Sequence, residues 1–100
     1  MSDIVITFKN RSFLDWLEAK QIHGQHINYA THTDIVHKHV IGHLPTWLAA
    51  YAESISEISV PKLSRTDRLR MNDGQLTVAE MDAAGAHLIT YKVRRATSPI

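Results

Sequence analysis

Two closely spaced turn signals in the last third of the chain constrain the fold more than any other feature. Asn72-Asp73-Gly74 and Asp82-Ala83-Ala84-Gly85 each begin with Asn or Asp and end with Gly. That pattern is typical of a type I turn closed by a glycine in the left-handed region, which gives a three-residue hairpin loop. The two turns therefore predict a three-stranded antiparallel β-meander, with strands at 68–71, from 75 onward and at 87–93.

The register of these strands supports the meander. When Met71 is paired with Gln75 and Asp82 with Ala86, one face becomes apolar. That face collects Leu69, Met71, Ala79, Met81, Ile89, Tyr91 and Val93. The opposite face collects Arg68, Arg70, Leu76, Val78, Glu80, Leu88, Lys92 and Arg94. An alternative takes Thr77 and Glu80 as the capping box of a helix over 78–84 that stops at Gly85. The agreement between two independently assigned turns favours the meander.

The first half of the chain predicts a strand followed by helices. Alternating Ile4, Ile6 and Phe8 indicate a short strand over 3–9. A capping-box-like start at Ser12 predicts a helix that ends before Gly24. A second helix is expected from 31–34 to about Gly42, and a third from Pro45 through Ile55, ending before Pro61.

The sequence thus predicts one α+β domain over 1–100, with about three helices in the N-terminal half packed on the C-terminal meander. The N-terminal strand is placed to join the sheet, but its partner is not predicted.

Composition indicates the cellular compartment of the chain. The chain of 100 residues has no cysteine, which excludes disulfides and thiolate metal ligands and fits a reducing compartment. The N-terminus lacks the pattern of a signal peptide, and no apolar run approaches the ~20 residues needed to span a bilayer. We therefore expect a cytoplasmic protein with no membrane partner.

The basic side of the predicted meander is the main candidate for partner binding. Basic side chains flank a small aliphatic strip there, made of Arg68, Arg70, Leu76, Val78, Lys92 and Arg94. A net charge of only +1 favours a protein partner over nucleic acid, which stays as the alternative. A solvated sheet face is the competing interpretation, because arginine stems can cover exposed aliphatic carbons.

The seven histidines are the second candidate feature. On a helix, His32, His39 and His43 fall on one stripe, and residues four apart can share a metal. No glutamate accompanies them in the usual zinc pattern, so partly exposed, neutral side chains beside an apolar face are the favoured interpretation. The sequence therefore predicts no metal and no cofactor, with these three histidines as the only metal candidates. A response to pH is the other role that they could play.

No catalytic motif is found. The chain contains neither a Gly-x-Ser-x-Gly elbow, nor a glycine-rich phosphate loop, nor a thiol nucleophile. The sequence-based hypothesis is a small non-enzymatic binding or regulatory protein of the inhibitor or adaptor type, such as mobile elements encode. Pairing of two copies through an edge strand or the third helix is left open.

Overall fold

The computed structural model describes residues 3–96, in which five strands alternate irregularly with five helices. The strands are β1 (Ile4–Ile6), β2 (Gln25–His26), β3 (His39–Ile41), β4 (Ser54–Ser59) and β5 (His87–Tyr91). The helices are α1 (Arg11–Ala19), α2 (His32–Ile35), α3 (Thr46–Ala49), α4 (Arg65–Asn72) and α5 (Val78–Ala83). The prediction of an α+β domain is confirmed.

The five strands form one mixed sheet in the order β2-β1-β3-β4-β5. The first four run parallel, with Val5 beside Val40 and Val40 beside Ile55. β5 is antiparallel to β4, with Glu57 opposite Ile89. The predicted N-terminal strand is confirmed as β1, and its unpredicted partners are β2 and β3.

Hydrophobic clusters lie on both sides of this sheet. The helix-covered face, which carries Ile6 and Ile41, packs against α1, α4 and α5 through buried residues that include Leu17, Met71 and Met81. The loop-covered face carries Val5, Val40 and Ile55 and packs against α2, α3 and their loops through Ile35, Leu48, Ala49 and Ala52. Alternate residues of each strand point to opposite faces, so successive apolar residues feed both clusters.

The start of α1 is tied to the C-terminal helices. The Asn10 side chain caps the helix by accepting from Ser12 N, and its Nδ2 donates to Met71 O at 2.8 Å. The prediction that Ser12 is the cap is therefore wrong. Ser12 lies inside the helix, fully buried, where its hydroxyl accepts from Leu76 N at 3.0 Å. This small polar residue joins two distant segments instead of starting the helix.

The predicted meander is wrong, because two of its three strands are helices. Ser64 caps α4 by accepting from Asp67 N, and Thr77 and Glu80 form the capping box of α5. Gly74 and Gly85 follow these helices with φ of 74° and 83°. A glycine in the left-handed region ends a helix as readily as it closes a hairpin, so the turn signals could not separate the two. Only β5 is a strand, and it pairs with β4.

The predicted second and third helices are also too long. α2 and α3 contain four residues each, and β3 and β4 occupy the segments assigned to their continuations. His37 has a φ of 62°, which ends the helical path before β3. Parallel strands buried on both faces lack polar–apolar alternation, so short apolar runs do not distinguish them from helices. Within residues 3–96, no helix has the length and apolar character needed to cross a membrane.

Candidate ligand site at the ends of the parallel strands

The chain places its next two strands on opposite sides of β1. β2, the next strand in the chain, lies on one side of β1, and β3 lies on the other. In open, largely parallel sheets the loops that leave such neighbouring strands diverge, and the crevice outside their carboxyl ends is where ligands bind. The strand order thus points to the ends of β1 and β3 as the first place to look for a site.

A cavity of about 590 Å³ occupies this position. Three segments build it: the loop after β1, the segment from β2 into α2, and the segment from β3 into α3. Its lining is Thr7, Lys9, Asn28, Tyr29, Ala30, Thr31, His32, His43, Leu44, Pro45, Trp47 and Leu48. The volume lies within the range of small-molecule sites, and the mixture of apolar walls with a few polar groups is typical of them. We call this the switch-point cavity.

A close contact between Gly42 and Thr7 lies at the base of the cavity, where Thr7 contributes to the lining and Gly42 does not. Thr7 N donates to Ile41 O at 3.0 Å, and Gly42 N donates to Ser56 O at 2.9 Å. Gly42 has a φ of 150°, and a Cβ built there would overlap Thr7 Oγ1. Only glycine therefore lets the two strand ends approach this closely.

The Thr7 hydroxyl is a second feature of the base. Its Oγ1 is buried and, within residues 3–96, makes no hydrogen bond. Leaving a buried hydroxyl unsatisfied costs about 1–3 kcal/mol. Because the atom is enclosed, a ligand in the cavity does not reach it, and the cost belongs to the fold itself.

Two aromatic side chains stand exposed at the mouth. Tyr29 is 83% exposed and Trp47 is 66% exposed, although most large apolar side chains within residues 3–96 are buried or partly buried. Lys9 Nζ lies 4.0 Å from the centroid of the Tyr29 ring, which is cation–π geometry. The mouth therefore combines flat apolar surfaces with a positive charge.

Two of the predicted histidines line the cavity, but the third does not. His43 Nδ1 lies 3.6 Å from Glu57 Oε1, and its ring meets Phe8 edge-on at 5.3 Å. His32 packs on Tyr51, with ring centroids 4.2 Å apart. The helical stripe predicted from His32, His39 and His43 does not form, because β3 is a strand and His39 lies at its opposite end. In the part of the chain that the structure describes, no group of three or more metal-ligating side chains is found.

His39 belongs to a separate hydroxyl network at the amino ends of β3 and β4. Its Nδ1 contacts Ser54 Oγ, and its Nε2 lies 2.9 Å from Ser56 Oγ. Ser56 in turn lies 2.7 Å from Thr90 Oγ1. Burial lowers the pKa of His39, which keeps the ring neutral at pH 7. This network links three neighbouring strands, so its role here is structural.

The residues predicted for partner binding do not share one sheet face. Leu76 is buried at 3% exposure, and Val78 begins α5. Arg70 pairs with Glu80, with Nη2 and Oε1 2.9 Å apart, and also with Asp67. The remaining three, Arg68 on α4 and Lys92 and Arg94 after β5, are exposed. Partner binding by these residues stays a prediction.

The sequence did not single out Lys9, Tyr29 or Trp47 as a site, because they lie in three separate segments and share no spacing. One sequence pattern could have indicated the site: β-branched residues come directly before Gly42 and His43. That pattern fits a parallel strand followed by a ligand-facing loop. Comparison of the chain with protein-family models, curated proteins and solved structures finds no match.

Proposed function

We propose that this domain is a binding or regulatory protein whose ligand is a nucleotide, held in the switch-point cavity with its base against the exposed aromatic rings and its phosphate within reach of Lys9. The observation that carries the proposal is the exposed pair Tyr29 and Trp47, beside Lys9, at the carboxyl ends of β1 and β3. The proposal keeps the non-enzymatic function expected from the sequence. It moves the binding site from the basic surface to the cavity.

The polar groups of the cavity favour an anion. Lys9 contributes a positive charge, and His32 and His43 contribute imidazoles that can donate hydrogen bonds. None of the lining residues named above is acidic. A net charge of +1 for the chain gives no general attraction for anions, so the preference is local. Phosphate offers several acceptor oxygens and forms strong hydrogen bonds with charged donors of this kind.

The aromatic groups favour a planar ring as a second part of the ligand. Stacking of a base on an aromatic side chain contributes about 1–3 kcal/mol and tolerates any base, since every base has a π-face. Asn28 and Thr31 are polar side chains in the same wall and can hydrogen-bond to the base edge. A nucleotide satisfies the charged group and the aromatic rings at once.

Trp47 provides a direct readout for the test. The chain has two tryptophans; Trp16 is buried at 4% exposure, whereas Trp47 is exposed at the cavity mouth. Titration with nucleoside monophosphates, nucleoside triphosphates and a short single-stranded oligonucleotide should quench the emission of Trp47. Isothermal titration calorimetry supplies the affinity independently. Tighter binding of the oligonucleotide than of the free nucleotides would identify the source as the end of a nucleic acid chain.

Variants separate the two ends of the ligand. Trp47→Ala should weaken binding about 5- to 150-fold, which corresponds to the loss of one stacked base. Trp47→Phe should retain most of the affinity in calorimetry.

Lys9→Gln should reduce the affinity for nucleotides but not for the nucleoside, which lacks phosphate. Lys62→Gln, an exposed lysine on the helix side of the molecule, is the matched control. Absence of binding at millimolar nucleotide, or equal affinity of wild type, Trp47→Ala and Lys9→Gln, would show that the proposal is wrong.

A further inference from the structure

The outer part of the sheet, made by β4 and β5, is covered on one side only. Ile58 and Leu88 pack into the cluster beneath α1, α4 and α5. On the opposite side, α2 and α3 lie over β1, β3 and the beginning of β4. The side chains that follow along β4 and β5 on that side border an open groove of about 430 Å³.

This open side carries apolar side chains of β5 beside the charged and polar ones of β4. Along β5 and the residues after it, the open side carries His87, Ile89, Tyr91 and Val93. The helix side carries Leu88 and Thr90, of which Thr90 is exposed. Tyr91 is 47% exposed. A half-exposed antiparallel pair normally places its polar residues toward water and its apolar residues toward the core. The half-exposed Tyr91 beside Ile89 departs from this arrangement, and exposed apolar surface of this kind is typical of an interaction site.

The charges at the groove are self-complementary. Glu57, directly opposite Ile89, supplies a negative charge, and Lys92 supplies a positive one three residues farther along the chain. Three residues of strand correspond to about 10 Å, with Tyr91 between the two charges. Rotation of a second copy by 180° about an axis through the middle of the groove would place each Glu57 over the Lys92 of the other copy. A two-fold interface requires this kind of self-complementarity.

We propose that the groove is the interface of a homodimer, in which Tyr91 of each chain packs into the groove of the other and two Glu57–Lys92 pairs form between the chains. Within one chain, Lys92 lies 3.9 Å from Glu53, but both side chains are exposed, and such pairs contribute little. Near-neutral net charge means that two copies do not repel each other at long range. The groove and the switch-point cavity lie on either side of α3 and share the lining residue Leu44. Dimerisation would therefore fix the position of one wall of the ligand site.

Charge reversal by mixing provides the test. In a homodimer, Glu57→Lys alone brings two positive side chains together at each pair, and Lys92→Glu alone brings two negative ones together. Each variant should therefore be monomeric in sedimentation equilibrium at concentrations at which the wild type has twice the mass of one chain. An equimolar mixture of the two variants should restore the dimer through a pairing in which unlike charges meet. The double variant, with both changes in one chain, should also dimerise.

The apolar part of the interface has its own matched pair of variants. Tyr91→Asn should shift the wild-type protein to the monomer, whereas Leu69→Asn, at an even more exposed apolar residue on α4, should not. Circular dichroism spectra and melting temperatures establish that the variants are folded. A wild type that stays monomeric at several hundred micromolar overturns the proposal, as does a mixture of the two charge variants that stays monomeric. These masses are measured without nucleotide, so their outcome does not depend on the proposed ligand.

Discussion

The two faces of the sheet share the same strands but differ in how firmly they are covered. On the helix-covered face, side chains far apart in the sequence are joined by hydrogen bonds, such as Trp16 Nε1 to Asp82 Oδ1 at 2.9 Å and Lys20 Nζ to the other oxygen of Asp82 at 3.0 Å. The loop-covered face has only two one-turn helices above it within the described residues. Both the switch-point cavity and the groove lie on or beside this second face.

This difference has a physical origin. A helix of four residues is not stable by itself and persists only through the packing of its apolar side chains, here Ile35 of α2 and Leu48 of α3. Loops with few such anchors open at a lower free energy than the helices of a closed core. We therefore expect the helix-covered face to supply the stability of the fold, while the loop-covered face is open to binding.

The largest expected effect comes from the helix-covered core. Met81 is completely buried in α5, so Met81→Ala should lower the free energy of unfolding by about 2–5 kcal/mol. Nucleotide affinity at a temperature where the variant is folded should not change, because Met81 lies on the other side of the sheet from the cavity. Urea denaturation and calorimetry measure the two quantities. Leu69→Ala, at a 60% exposed position of the neighbouring helix, serves as the control.

Parallel losses of stability and nucleotide affinity in Met81→Ala would contradict the division between the two faces. The control should change the free energy of unfolding by no more than about 0.5 kcal/mol.

A smaller effect is expected at the base of the cavity, where Gly42→Ala forces a methyl group onto the Thr7 hydroxyl. The strained backbone and the collision should cost about 1–3 kcal/mol of stability. Unlike Met81→Ala, this variant should also lose nucleotide binding, because the ends of β1 and β3 must move apart. The same denaturation and binding measurements apply.

Thr7→Ala sharpens the comparison at this position. It removes the buried hydroxyl that Gly42→Ala would meet, so the double variant should be less destabilised than the sum of the single changes. Thr7→Ala alone should not destabilise the ligand-free protein, because it deletes a polar atom that has no hydrogen bond within residues 3–96. A strictly additive double variant would show that the contact between the two residues is not the source of the strain.

Local capping chemistry made part of this fold predictable. Thr77 and Glu80 do cap a helix that stops at Gly85, which is the alternative to the meander. The meander was predicted because its two turns give one apolar face. Met71 and Met81 of that face are buried as well when they lie on helices. Period-two and helical patterns overlap in such short segments, and tertiary packing decides between them.

The candidate site was less predictable than the fold. Its residues come from three separate segments, and Lys9 meets Tyr29 only because β1 and β2 are neighbours in the sheet. The parallel pairing depends on contacts distant in sequence, which local patterns do not encode. The prediction that His32 and His43 lie on one stripe of a helix was wrong. Both nevertheless line the same cavity.

The smallest expected effect tests the helix-covered face with acid. Hydrogen bonds from Arg70, and then from the backbone and hydroxyl of Thr77, lower the pKa of Glu80 to about 2 from an ordinary value of 4.5. Because the pKa is lower in the folded state, the ionised carboxylate stabilises the fold above pH 4.5, and that contribution is lost as the pH falls toward 2. Glu80→Gln should therefore be less stable than wild type at pH 7 and equal to it near pH 2. Arg70→Gln should retain part of the pH dependence, since Thr77 still donates to Glu80.

Denaturation at about pH 7, 4.5, 3 and 2 measures the difference, and a gap between wild type and Glu80→Gln that persists unchanged at the lowest pH would contradict the assignment. Nucleotide affinity at neutral pH should be the same in all three proteins, because this ion pair joins α4 to α5 and does not touch the loop-covered face.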